Sequence, residues 1–256
     1  MSSEPIVISA KSLSKTYRLY ESPQQWVKQI FFGSFRNYYK SFWALKDINM
    51  EIRHGDNVAI LGRNGCGKST LLQIICGIIR PTKGELWVNG RVAPVLALGA
   101  TFDLESTGRE NVLIGGAVMG LKRDDILRKM ESIAEFAGIG DFMDQPIKHY
   151  SAGMRTRLAF AICVHVEADI FVVDEALSVG DEAFQRKCLD WLDDFRATGT
   201  LLFVSHSMDE VRRLCSKAIW IDNGKVREKG LPDDVIKAYL AAADGEPDDL
   251  RRFSAV

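Results

Sequence analysis

Between Leu61 and Leu71 the chain reads Gly62-Arg63-Asn64-Gly65-Cys66-Gly67-Lys68-Ser69-Thr70. Glycines at this spacing let the backbone curl so that successive N–H groups converge on an anion. A helix N-terminus behind them adds favourable potential, the lysine reaches β/γ-phosphate oxygens, and the serine hydroxyl can ligate Mg²⁺. The loop follows the apolar run Asn57-Val58-Ala59-Ile60-Leu61 and opens the apolar-periodic segment Leu71 to Ile79, a strand-turn-helix setting that a chance glycine-rich turn lacks. Gly62, Asn64, Gly65, Cys66, Gly67, Lys68, Ser69 and Thr70 are therefore expected to hold nucleotide phosphates, with Ser69 on the metal. Cys66 sits at a helix N-terminus, where thiolate is favoured, and is expected to react with thiol reagents unless bound nucleotide protects it.

Three further segments carry chemistry. Tyr150-Ser151-Ala152-Gly153-Met154-Arg155-Thr156-Arg157 leads into a helical pattern, Ile170-Phe171-Val172-Val173-Asp174-Glu175 reads as a buried strand ending in two carboxylates, and Leu201 to His206 reads as a buried strand ending in a histidine. With 23 positions from Ser151 to Asp174 and 31 from Glu175 to His206, the set resembles the nucleotide-binding subunit of an ABC transporter over roughly residues 6 to 240.

That resemblance assigns roles. It implies that ATP and Mg²⁺ are bound, that Asp174 holds Mg²⁺ through water, and that Glu175 is the general base polarising the attacking water. His206 would bond the γ-phosphate, its rival reading being a strand-end histidine satisfied by backbone. In the family the Ser151 segment faces the nucleotide of the opposite subunit, so Ser151 and Gly153 would complete a site across a two-fold homodimer. Asp181, in Ser178-Val179-Gly180-Asp181, resembles the loop that senses the other site, and Tyr17 matches the aromatic that stacks on adenine, with a core role as its rival.

Two departures stand out. Ala152 and Met154 replace a glycine and a glutamine of the usual Leu-Ser-Gly-Gly-Gln, and Leu98 to Asp103 lacks the expected metal-ligating glutamine. The run Ala97 to Phe102, followed by Ser106-Thr107-Gly108-Arg109-Glu110-Asn111, resembles the subgroup that exports lipid-linked polysaccharides such as O-antigen, capsule and teichoic acid. The resemblance implies an ATPase coupled to export, with a permease in two copies as partner, peripheral on the cytoplasmic face of the inner membrane. Other transport ATPases, and a soluble ABC clamp without a membrane partner, remain alternatives.

The elements that must position these groups are short apolar strands, Ile6–Ser9, Val58–Leu61, Leu86–Val88, Ile170–Val173, Leu201–Val204 and Ala218–Ile221, alternating with helices. This predicts an α/β fold of the P-loop NTPase type, a mainly parallel sheet with nucleotide at the C-terminal strand ends. Helical periodicity alone over Glu110–Met119, Arg123–Phe136 and Ala152–Val166 predicts a helical subdomain inserted at about 103–168. Residues 1–240 form the nucleotide-binding domain in this reading and 241–256 a short polar tail, too short for a separate recognition domain.

The 256 residues are 46% apolar with formal net charge −1, enough for a substantial core and unsuited to nucleic acid as main partner. No run approaches a bilayer span, and the polar start is no signal peptide, so a cytosolic location is expected. The five cysteines show no disulfide or zinc spacing and read as reduced thiols, four of them core fillers. His54, His149 and His165 lack any site context.

An insertion at 20–43 concentrates aromatics: Tyr20, Trp26, Phe31, Phe32, Phe35, Tyr38, Tyr39, Phe42 and Trp43. Val27, Phe31, Phe35, Tyr39 and Trp43 step by four, as on one helical stripe broken near Gly33-Ser34, with Lys28, Arg36 and Lys40 adding positive charge. Such a stripe suits a membrane subunit or headgroup boundary; packing on the domain's own sheet is the competing expectation.

Overall fold

The computed structural model describes residues 4–32, 37–95, 102–174, 181–205 and 207–244. Two sheets organise them. Strands β3 (Asn57–Leu61), β5 (Val92–Pro94), β6 (Ile170–Asp174), β7 (Thr200–Val204), β8 (Lys217–Asp222) and β9 (Lys225–Gly230) form a six-stranded sheet of order β5-β6-β7-β3-β8-β9, parallel throughout except for the β8/β9 hairpin. Strands β1 (Ile6–Leu19), β2 (Lys40–Arg53) and β4 (Lys83–Val88) form a second, antiparallel sheet of order β2-β1-β4.

Strand alternation divides the interior into two cores. Val58, Ile60, Ile170, Val172, Leu202 and Val204 point to the side shared with the antiparallel sheet and with helix α2 (Lys68–Ile75). Ala59, Leu61, Phe171, Val173, Leu201 and Phe203 point to the opposite side, which continues into the helical region. The central strands are apolar on both faces because both faces are covered.

Between Thr107 and His165 lie α3 (Gly108–Val118), α4 (Arg123–Ala137), two short 3-10 turns and α5 (Ala152–Val164), with no strand among them. Thr107 starts α3 with a capping box: its Oγ1 accepts from Glu110 N at 3.2 Å, and its own N–H donates to Glu110 Oε2 at 2.7 Å. Beyond them lie the remaining described helices, α6 (Glu182–Phe195), α7 (Met208–Leu214) and α8 (Pro232–Asp244). Helix α8 runs to Asp244, past the expected start of a polar tail at 241.

The antiparallel sheet is a correction to the sequence reading. Ile6–Ser9 is the start of a strand reaching Leu19, and its partner β2 was not foreseen. A second correction concerns the aromatic stripe. Among the described residues of the insertion, Pro23–Phe32 is helical (α1), whereas Tyr39 lies outside that helix and Trp43 belongs to β2, paired with Thr16; Phe35 lies outside the described residues. Tyr39 packs edge-on to Tyr20 at 6.0 Å with the Arg18 guanidinium 4.9 Å from its ring, while Lys83 lies 5.7 Å from the Trp43 ring. Cross-strand pairing, which has period two, overrides a four-residue spacing once a partner strand is present. No described helix is long and apolar enough to cross a membrane.

Candidate functional site

Helix α2 begins where β3 ends, and the loop between them is set by its glycines. Gly67, at φ 112°, caps the helix, and a Cβ there would collide with the Ala44 carbonyl oxygen and the Leu45 side chain. Gly62, at φ 152°, is pressed against the Ile221 carbonyl oxygen and Cys66 Sγ, so its lack of a side chain serves packing of the loop on β8. Gly65, at φ 78°, has no atom of a described residue within 4 Å of a Cβ position, leaving its approach open.

Above this loop lies a cavity of about 440 Å³ lined by Tyr17, Phe42, Ala44, Asn64, Gly65, Gly67, Lys68, Ser69, Thr70 and Asp174. Lys68 is buried, and its Nζ donates to the carbonyl oxygens of Gly62 at 2.7 Å and Arg63 at 3.2 Å. An ammonium carries three donors, so these two bonds hold it at the loop and leave the third for an anion. Ser69 Oγ donates to Asp174 Oδ2 at 3.3 Å, joining the first turn of α2 to the end of β6. The buried Asp174 carboxylate and the hydroxyl form a pair of hard oxygens suited to Mg²⁺, which is held by few protein oxygens and keeps several waters. The donor set thus fits a magnesium-bound polyphosphate: backbone N–H groups and an ammonium for the phosphates, oxygens for the metal.

Tyr17 and Phe42 face each other across β1 and β2 at the cavity. Lys15 Nζ lies 5.3 Å from the Tyr17 ring centroid and donates to the Arg80 carbonyl at 2.8 Å. Of the residues expected at the phosphates, Gly62 and Cys66 are absent from the lining. The structure runs against the expectation of an acidified, reactive Cys66: the thiol is buried among the apolar side chains beneath the loop, and burial pushes its pKa up against the weaker opposing pull of Lys68. The helix N-terminus acts on its backbone, while its side chain turns away from the anion position.

Ser151, Gly153 and Asp181 stand apart from this cavity. Ser151 is the N-cap of α5, its Oγ accepting from Met154 N at 3.1 Å, which leaves the hydroxyl proton and a second lone pair for other partners. Gly153, in the first turn, has among the described residues only Ser151 Oγ near a Cβ position, at 3.8 Å. Asp181 is the N-cap of α6, accepting from Phe184 N at 2.9 Å, and is joined to Arg157 of α5. Glu175, His206, the loop 178–180 and most of the glutamine-less run, 98–101, lie outside the described residues.

Sequence reasoning missed Phe42 and Arg157. Phe42 was counted into the aromatic insertion; its signal was its place in Phe42-Trp43-Ala44-Leu45, the start of an unrecognised strand. Arg157 stands in the Ser151 segment but carried no motif role until its contact with Asp181 was visible.

A parallel sheet with this loop at its strand ends, an antiparallel companion sheet and an inserted helical region define an ATP-binding cassette. The chain belongs to the ABC transporter family, whose model matches residues 45–178. It is 44% identical to the teichoic acids export ATP-binding protein TagH of Listeria monocytogenes serotype 4b (strain F2365), over 91% of this chain and 70% of that protein. It is 41% identical to an O-antigen export system ATP-binding protein RfbB of Klebsiella pneumoniae, over 92% of this chain and 98% of that protein. In fold it is similar to the ATP-binding cassette MJ0796 in a dimeric post-hydrolysis state bound to ADP and Pi, with TM-score 0.71 at 20% identity, covering 88% of this chain and 98% of that one.

Proposed function

We propose that this chain is the ATP-binding and ATP-hydrolysing subunit of an ABC transporter that exports a lipid-linked polysaccharide across the cytoplasmic membrane. The observation that carries the reading is the coincidence, in one chain, of the Lys68, Ser69 and Asp174 cavity with more than 40% identity to export ATP-binding proteins of two glycan systems.

In this reading Lys68 and the N–H groups of the loop bind the β/γ-phosphates, and Ser69 and Asp174 hold Mg²⁺. The metal, when bound, neutralises charge on the phosphate oxygens. Glu175, next after Asp174, takes the proton of the attacking water, and His206 orients the γ-phosphate. Ser151 and Gly153 act on the nucleotide of a second copy of the chain, which fits their separation from the cavity and the unfilled space around Gly153. Asp181 reports one site to the other.

The domain limits of the sequence reading, 1–240 with a helical subdomain at about 103–168, remain part of this proposal. So does a membrane-facing role for the insertion at 20–43. Two glutamines of helix α1 are held by hydrogen bonds: Gln25 Oε1 accepts from Glu21 N at 3.0 Å and its Nε2 donates to Glu21 Oε2 at 3.3 Å, and Gln29 Oε1 accepts from Tyr38 N at 2.8 Å. Trp26, Ile30 and Phe31 are left 55, 59 and 73% exposed. An apolar helical stripe facing outward, beside Lys28, supports contact with the permease or the lipid boundary at the inner face of the membrane.

The test is co-purification and transport. A stable complex with a polytopic membrane protein, and loss of surface glycan on Lys68→Ala in the producing cell, are expected. A chain that forms no membrane complex and leaves the surface glycan unchanged on Lys68→Ala overturns the export reading.

A further inference from the structure

We infer that Phe42 binds the nucleotide base together with Tyr17 and sets the site's preference for a purine over a smaller ring; the inference rests on the reading of the phosphate loop as an ATP site. Tyr17 and Phe42 are direct partners in the antiparallel pairing of β1 and β2, so their side chains leave the same face of the hairpin. Both line the cavity that holds Lys68, Ser69 and Asp174. Its volume of about 440 Å³ falls inside the roughly 300–1,000 Å³ range of small-molecule sites.

The two rings are not equivalent. The Lys15 ammonium lies over the Tyr17 ring and is pinned by the Arg80 carbonyl, so part of that ring's surface is already used. Phe42 is 47% exposed, a large apolar ring left open at the mouth of a polar cavity. It also borders an adjoining cavity of about 250 Å³, and Ala44 and Gly65 are shared between the two. The ring therefore lines both cavities, beside the groups that would anchor a ligand by its phosphates. Every base has a π-face, so aromatic stacking does not depend on base-edge hydrogen bonds, and a fused two-ring base covers more of a two-ring platform than a pyrimidine does.

Calorimetric titration of the whole chain with MgATP, MgCTP and magnesium tripolyphosphate tests this, using Phe42→Ala and Phe42→Leu. Leucine keeps apolar bulk for folding and removes the π-face, so it carries the same expectation should the alanine variant melt early. Both variants should bind ATP about tenfold more weakly, with a smaller ratio of ATP to CTP affinity, while tripolyphosphate binding stays within about twofold. Equal losses for ATP and tripolyphosphate would place Phe42 in support of the phosphate loop and overturn the inference, as would unchanged ATP affinity and selectivity in Phe42→Leu. A wild-type chain that binds neither ATP nor tripolyphosphate would remove the ATP-site reading itself, and the base assignment with it.

Discussion

Arg157 and Asp181 are joined side chain to side chain: Arg157 Nη1 donates to Asp181 Oδ2 at 3.1 Å, while Oδ1 of the same carboxylate caps α6. The guanidinium also reaches the Gly138 carbonyl at 3.4 Å and lies 5.7 Å from the Phe184 ring. Three elements, α4, α5 and α6, thus meet at one arginine. The pair is partly exposed, so solvent weakens it. Asp181→Ala should cost about 1–2 kcal/mol, most of it from the lost cap, and a double-mutant cycle with Arg157→Ala should give a coupling of about 0.5–1 kcal/mol. Urea unfolding of the four proteins measures it, and a coupling of zero would mean the contact does no energetic linking.

Glu175→Gln should abolish ATP turnover and leave ATP affinity unchanged, since the amide keeps the shape but cannot take a proton. With the phosphate and metal groups intact, an ATP-bound dimer should accumulate on size exclusion. Turnover within tenfold of wild type would remove Glu175 from the role of base.

Cys66 should alkylate slowly with iodoacetamide at pH 8 in the native chain and rapidly once urea unfolds it, because burial holds the thiol protonated. Fast native labelling blocked by MgATP would restore the opposite expectation. The other thiols add a pH dependence. Burial pushes Cys76, Cys188 and Cys215 up to about 12, whereas an unfolded thiol ionises at about 8.5. Between those values the unfolded chain has released protons that the native chain keeps. The stability these thiols contribute is therefore fully present below about pH 8.5 and is lost as pH rises toward 12. Urea midpoints at pH 7.5 and 10 should show this, and Cys188→Ala should lessen the difference.

Trp26→Ser with Phe31→Ser should leave the melting temperature of the isolated chain within a few degrees of wild type, since exposed side chains contribute little to folding, whereas truncating buried aromatics costs about 3–5 kcal/mol each. Recovery of the chain with its membrane partner should fall sharply. A large drop in thermal stability would show that the two rings belong to the chain's own core.

The phosphate loop, the carboxylate at the end of β6 and the helical run from Thr107 were legible because each is written in local order: glycine spacing, a short apolar run ending in acid, and a capped three- to four-residue periodicity. The β1/β2 hairpin was not. Its strands are separated by α1, and β2 mixes Lys40, Lys46, Asp47 and Glu51 among its apolar positions because it borders solvent on one side, so no clean run marks it. The direction of Cys66 was equally hidden. A thiol's place in a loop fixes its distance from the helix N-terminus, but whether it points at the ligand or into the core depends on Gly62 and Ile221, neither of which is adjacent to it in sequence.

If Gly153 has the role proposed for it, its open surroundings among the described residues set stability against activity. No described residue forbids a methyl group there, and alanine in the first turn of a helix would gain up to roughly 1 kcal/mol over glycine. A programme that selected only for a more heat-resistant isolated subunit would therefore replace Gly153 early. The resulting protein would be sturdier by every measure taken on one chain and, if Gly153 meets the nucleotide of a second copy, defective only once two copies are asked to close on ATP.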